Sequence, residues 1–412
     1  MGLIGNRLAA WAARRPHLLL AAVPGATAAR LAVEARARRY GWPLAASPAD
    51  ADLLVVAGEP GLELAAAIER VWAQLPGPRA RVDVVDPASA GDALRGAAHR
   101  LGAAGREPAD PGPGGDGGAT HRGDDEGGTR GHGGRARHGD GGGAQGRGGP
   151  AHHDGDDGQG HEGHHQQGGG HGGMSMPGQL MMADRADDRD GLKLDVLHLA
   201  LGPVLADWPA GLVVELTLQG DVVQQASARV LPPASGVARP YWNADDPEVR
   251  RRRRAAAHLD SLGRLWAVAG WPAGAASARR LRDDLIDGVP VAEAYRSFRR
   301  LDRRARRSRA LRWATDGLGA LAPADADRAG VGAAAGGDVT ARWRCWLTAT
   351  DRLLAGAEPA RTAPGDGPAR DEPARLAAAT RLMVGLDLAA ARLVLASFDP
   401  DPDELAALGV PR

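Results

Sequence analysis

"ADLLVVAGEPGLELAAAIERVWAQL", residues 51–75, decides the fold class of the first part of the chain. Its first third is an unbroken apolar run of strand length ending at Gly58. A run without alternation belongs to a strand covered on both faces, as in a parallel sheet flanked by helices. The rest places Leu62, Leu64, Ile68, Val71, Trp72 and Leu75 near helical spacing, and Pro76-Gly77-Pro78 stops it.

The same alternation extends in both directions. Upstream, "HLLLAAV" (17–23) is a second buried strand that ends at the turn Pro24-Gly25 and leads into a helical stretch over 27–40. Downstream, "RVDVVD" (81–86) is a third strand, followed by a helix over 89–101. Strand and helix in turn predict a small α/β domain with a short parallel sheet, spanning residues 1–102.

From 103 to 173 the apolar residues disappear, and Gly, Asp, His and Arg take their place. Such a composition cannot bury enough surface to offset chain entropy, so a disordered linker is expected. A second domain, 174–412, opens with three strands, "KLDVLHLAL", "AGLVVELTLQ" and "DVVQQASARVL", with a tight hairpin at Gln219-Gly220-Asp221. Helices follow over 248–270, 275–286, 291–318, 339–354 and 373–382, while "MVGLDLAAARLVLASF" fits helix or strand. The second domain is therefore α+β, an N-terminal β-sheet followed by a helical body.

Composition excludes several function classes. Lys+Arg and Asp+Glu balance at 51 each, so the overall balance indicates neither a nucleic-acid partner nor an anionic membrane surface. Lys193 is the only lysine, and the excess of Ala, Gly, Arg and Pro reads as coding bias, so single arginines carry little information. With one cysteine, Cys345, the chain alone builds neither a disulfide framework nor a thiolate-held zinc or iron–sulfur site. Flanked by tryptophans and with no histidine nearby in sequence, Cys345 reads as a core thiol. The longest apolar run near the N-terminus falls far short of the roughly 20 residues of a membrane span, and no signal peptide is expected.

The densest set of metal-ligand types is His152, His153, His161, His164, His165 and His171, with Asp154, Asp156, Asp157 and Glu162 among them. Neutral imidazoles at flexible spacing suit nickel, zinc or copper. The competing reading is a polar tether with incidental histidines. Asp184, Asp187, Asp188, Asp190 and Asp195 lack the spacing of a calcium loop and read as a solvated turn before the first strand of the second domain. Arg250 to Arg254 start a helix, and a solvated face is the default over an anion patch. Seven tryptophans, Trp208, Trp242, Trp266, Trp271, Trp313, Trp343 and Trp346, lie in the second domain, where core packing and interface anchoring explain them equally.

"ASPADADLLVVAGEPGLELAAAIERVWAQLPGPR" (46–79) resembles the core of the NADH-quinone oxidoreductase (complex I) B subunit, which holds the last iron–sulfur cluster before quinone. "LGPVLADWPAGLVVELTLQGDVVQQASARVL" (201–231) resembles the N-terminal sheet of the complex I D subunit, related to the large subunit of nickel-iron hydrogenases. The two proteins touch in complex I. The departures are chemical. Where the first family carries cluster cysteines, this chain has Ala22-Val23-Pro24-Gly25 and Asp86-Pro87-Ala88-Ser89. Where the second offers histidine to the quinone headgroup, the loop 202–211 has none, and His198 lies upstream within a strand.

The resemblance implies a fused, degenerate pair with no cofactor of its own, acting as scaffold or accessory component alongside complex-I-like membrane subunits. Its place would be cytoplasmic, peripheral on the inner face of the membrane. Two alternatives stay open: a histidine-rich nickel or zinc accessory protein, and a quinone-linked oxidoreductase subunit whose partners supply the cofactors. Catalysis by the chain alone is not expected.

Overall fold

The computed structural model describes residues 15–104, 185–187, 193–237, 239–357 and 371–409. All of them belong to one compact unit. The first part is built from β1 (Leu18–Ala22), α1 (Thr27–Tyr40), β2 (Leu53–Ala57), α2 (Leu62–Gln74), β3 (Ala80–Val84) and α3 (Ala90–Ala104). The three strands pair in parallel in the order β1-β2-β3, with Leu18 opposite Leu53 and Leu53 opposite Ala80.

The unbroken apolar run of β2 is explained by its two faces. Leu53, Val55 and Ala57 pack against Ala29, Val33 and Ala37 of α1 and Leu94, Ala97 and Leu101 of α3. Leu54 and Val56 point the other way, into a core with Leu64 and Ile68 of α2. Side chains alternate across a strand, so a central strand buried on both sides needs an apolar residue at every position.

The second part begins with an antiparallel sheet in the order β4 (Arg185–Asp187), β5 (Lys193–Leu201), β6 (Leu212–Gln219), β7 (Val222–Val230). The hairpin turn falls at Gly220, whose φ of +61° favours glycine. Asp187, read from sequence as part of a turn, lies in β4; Asp184, Asp188 and Asp190 lie outside the described residues. On its far side β7 is bonded at its start, where Val223 N–H donates to Leu386 O at 2.9 Å and Gly385 N–H to Val223 O at 2.8 Å. The start of the β7 edge is therefore already paired.

The helical body comprises α4 (Pro247–Val268), α5 (Pro272–Ile286), α6 (Val291–Arg307), α7 (Arg309–Thr315), α8 (Pro323–Arg328), α9 (Val339–Leu354), α10 (Glu372–Met383), α11 (Leu388–Phe398) and α12 (Pro402–Ala407). Asp246 caps α4 by accepting from Val249 N–H at 2.8 Å, with Pro247 at the first helical position. The main core gathers Leu212, Val214, Leu216 and Leu218 of β6 with Leu259, Leu262 and Trp266 of α4 and Trp343 and Trp346 of α9.

Two expectations are refined. The helix expected over 291–318 is broken at Ser308, whose hydroxyl accepts from Leu311 N–H at 3.2 Å and so begins α7 as a cap. The ambiguous "LAAARLVLASF" is helix α11, started by Asp387 accepting from Ala390 N–H.

β6 also divides its side chains between partners. Val213, with Leu231 just beyond β7, enters the core formed by Leu54, Val56, Leu64 and Ile68. Thus the outer face of the parallel sheet is closed partly by residues from the second part of the chain.

Candidate functional site

The seam between the two parts holds the densest set of charges among the described buried residues. On α1, Arg30, Glu34 and Arg38 recur every four residues and so share one helix face. On α4, Asp260 and Arg264 are likewise one turn apart, and α5 contributes Arg279, Arg282 and Asp283. Asp207 and Asp399 complete the set from the 202–211 loop and the end of α11.

These groups meet at contact distance. Arg30 reaches Glu34 at 2.9 Å and Asp260 at 2.7 Å. Arg264 bonds Asp260 at 2.7 Å and grips Asp399 with both Nε, at 2.9 Å, and Nη2, at 2.7 Å. Arg282, wholly buried, reaches Glu34 at 2.9 Å and pairs with Asp260 as well. Arg38 pairs with Asp283, and Arg279 with Asp207. The guanidiniums of Arg30, Arg38, Arg264, Arg279 and Arg282 therefore face the carboxylates of Glu34, Asp207, Asp260, Asp283 and Asp399, one for one. With charge balanced, the network's chemistry is cohesive rather than ion-binding.

The acid strengths follow. Burial pushes the Glu34 carboxyl up, but Arg282 and Arg30 outweigh it and hold it at about 2. Asp260 is likewise opposed by burial and pulled well below the carboxylate range by Arg264, Arg30 and Arg282. The stability these two contribute is complete above their ordinary values of 4.5 and 3.8, and is lost as pH falls through the depressed ones.

One wall of a cavity of about 600 Å³ is formed by this network. Its lining is otherwise largely apolar, with Leu18, Leu19 and Leu20 of β1, Trp42, Pro43 and Leu44, and Ala267, Pro272 and Ala275. Leu205, Ala206, Asp207 and Trp208 close one side, with Trp208 fixed by donation from Nε1 to Leu212 O at 2.8 Å. Asp207 holds φ at +58°, a backbone region that asparagine and aspartate tolerate best after glycine. A space of this size, lined by both apolar and ionic side chains, suits a ligand with an apolar body and a polar head.

A smaller cavity of about 60 Å³ lies beyond Arg30 and Arg264, lined also by Glu372, Arg375, Asp399 and Asp401. Burial, reinforced by neighbouring Asp403 and Glu372, pushes the Asp401 carboxyl well above its ordinary value of 3.8. An acid shifted in this direction stabilises at low pH, and that contribution is lost as pH rises through the raised value. Asp401→Asn, which keeps the oxygen that accepts from Asp403 N–H at 2.9 Å, is expected to raise the urea midpoint at pH 7 and leave it unchanged below about pH 4. A midpoint series against pH checks this.

The residues singled out from sequence distribute unevenly. His152, His153, His161, His164, His165 and His171 lie outside the described residues; among the described residues no group of three or more His, Cys, Asp and Glu is arranged to hold a metal ion. His198 is exposed on β5, 3.3 Å from the Thr217 hydroxyl, and takes no part in the lining of the 600 Å³ cavity. Cys345 is half-buried on α9.

Arg250 to Arg254 do not form a solvated face. They are half-buried, Arg252 donating to Leu285 O and Val289 O, and Arg253 to Tyr241 O with its guanidinium over the Tyr241 ring at 4.5 Å. Among the tryptophans, Trp266, Trp343 and Trp346 are core, whereas Trp313 is 89% exposed.

The ionic seam was not found from the sequence. Its only signal there is the four-residue spacing of charges on α1 and α4, which an ordinary solvated helix face shares. Among the described residues no helix is long and apolar enough to cross a membrane. No protein-family model and no curated protein matches the chain.

Proposed function

We propose that this chain is a fused, noncatalytic relative of the complex I B and D subunits, serving as scaffold or accessory component in a membrane-associated complex-I-like or hydrogenase-like assembly. One observation carries this reading. The parts resembling two proteins that touch in complex I pack here around a common core and a balanced ionic network, the arrangement needed if the pair is kept for its shape. The thiolate ligands a cluster needs are replaced by Ala22-Val23-Pro24-Gly25 and Asp86-Pro87-Ala88-Ser89, and Asp86 is instead used to accept from Ala88 N–H at 3.0 Å.

A related reading, a quinone-linked subunit with partner-supplied cofactors, is supported by the 600 Å³ cavity beside the 202–211 loop. Affinity purification of the tagged chain from native membranes tests the first reading: complex-I-like or antiporter-like membrane subunits are expected to co-purify, and their absence overturns it. In the same preparation, saturable quenching of Trp208 fluorescence by a short-chain quinone analogue, lost in Trp208→Phe, would favour the second.

A further inference from the structure

α6 and α7 carry a surface that the scaffold reading leaves unused. On α6, Arg296, Arg299, Arg300, Arg303, Arg304 and Arg307 are all exposed and recur at three- and four-residue steps, so they occupy one helix face. The opposite face, Ala294, Phe298, Leu301 and Ala305, is buried in the core. Among the described residues one carboxylate pairs with these six arginines, Asp351 with Arg299 at 2.9 Å. Arg304 lies over the Trp271 ring at 5.6 Å. The chain continues through Ser308 into α7, where Arg309 and Trp313, one turn apart, are both exposed. Trp313 is the only exposed tryptophan among the described residues.

We infer that the α6–α7 surface docks on an anionic phospholipid bilayer. The arginines extend over about 16 Å of helix and form a convex face, which suits a field of mobile headgroups. Guanidinium forks match phosphate oxygens, and each basic residue close to an anionic leaflet favours partitioning roughly fivefold. Trp313 adds the side chain best suited to the headgroup boundary, with an apolar ring and one N–H donor. An acidic protein partner would use the same charges but gives no particular place to an exposed tryptophan on the helix that follows them. Docking of this kind needs only the surface chemistry of α6 and α7 and holds whether or not the chain is a complex I relative.

The test uses the purified full-length chain and sedimentation with vesicles of phosphatidylcholine, alone or with phosphatidylglycerol. Binding is expected only with phosphatidylglycerol and is expected to weaken as salt rises. The triple variant R300Q/R303Q/R307Q is expected to partition roughly a hundredfold more weakly. Trp313→Ala is expected to lower partitioning severalfold at every salt concentration. All four side chains are exposed, so unchanged circular-dichroism melting is expected and separates lost binding from lost folding. Absence of binding to phosphatidylglycerol vesicles overturns the assignment, as does equal binding by the triple variant. Capture by immobilised poly-glutamate without vesicle binding would assign the surface to an acidic polypeptide instead.

Discussion

Arg282→Ala is expected to destabilise the protein by about 3–5 kcal/mol, the cost of removing one charge from a buried ionic network. The side chain is wholly buried and joins Glu34 on α1 to Asp260 on α4, so its removal leaves two carboxylates short of charge across the seam. Against the about 5–15 kcal/mol of a typical domain, that loss brings the fold close to unfolding. A urea titration gives the midpoint. Hydrogen exchange localises the damage, with protection expected to fall first on the facing sides of α1, α4 and α5. The pair is coupled: Glu34→Gln combined with Arg282→Met removes both charges together and is expected to cost less than the sum of the single changes. Additive losses would mean that Glu34 and Arg282 do not act as a pair.

Arg342→Ala is expected to have an effect of comparable size for a different reason. Arg342 is wholly buried on α9 with no carboxylate in ion-pair contact among the described residues. Its guanidinium donates to Ser397 Oγ at 2.9 Å, Gly319 O at 2.9 Å, Gly337 O at 2.9 Å and Ala335 O at 3.3 Å, and lies 4.4 Å from the Phe398 ring centre. Burial, only partly offset by the more distant Asp338 carboxylate, lowers its pKa to about 10. Removing the side chain takes a donor from Gly319 O and Ala335 O, while Gly337 O keeps its bond from Leu321 N–H at 2.9 Å, and opens space between α9 and α11, for an expected loss of about 3 kcal/mol. Arg342→Lys is expected to recover under half of this, because one ammonium cannot fork to acceptors on separate segments. Full recovery would show that charge, not the planar fork, is what the site uses.

Much of the fold was legible, for identifiable reasons. β1 and β2 announce themselves because a strand buried on both sides must be apolar throughout, while β3, an edge strand carrying Arg81 and Asp83, shows itself by the alternation of Ala80, Val82 and Val84. β6 and β7 are fixed by a hairpin at Gly220. The break at Ser308 was hidden, since a serine within a charged helical pattern becomes a cap only when the backbone turns. The short helices α8 and α12 were missed, being too brief to display a period.

The ionic seam was invisible for a deeper reason. Arg30, Glu34, Asp260 and Arg264 have the types and spacing of a solvated face, and only packing against another element removes them from water. The abundance of arginine also hid the two that are wholly buried among the described residues, Arg282 and Arg342.

Apolar strand faces, the ionic network and a hydrogen bond from Gly25 N–H to Asp403 at 2.7 Å already tie the beginning of the chain to its end. Described residues on either side of the stretch 105–184 thus make contact directly. Its effect is on copy number: each ribosome that completes one part completes the other, so the two parts are made in equal amounts and never one without the other.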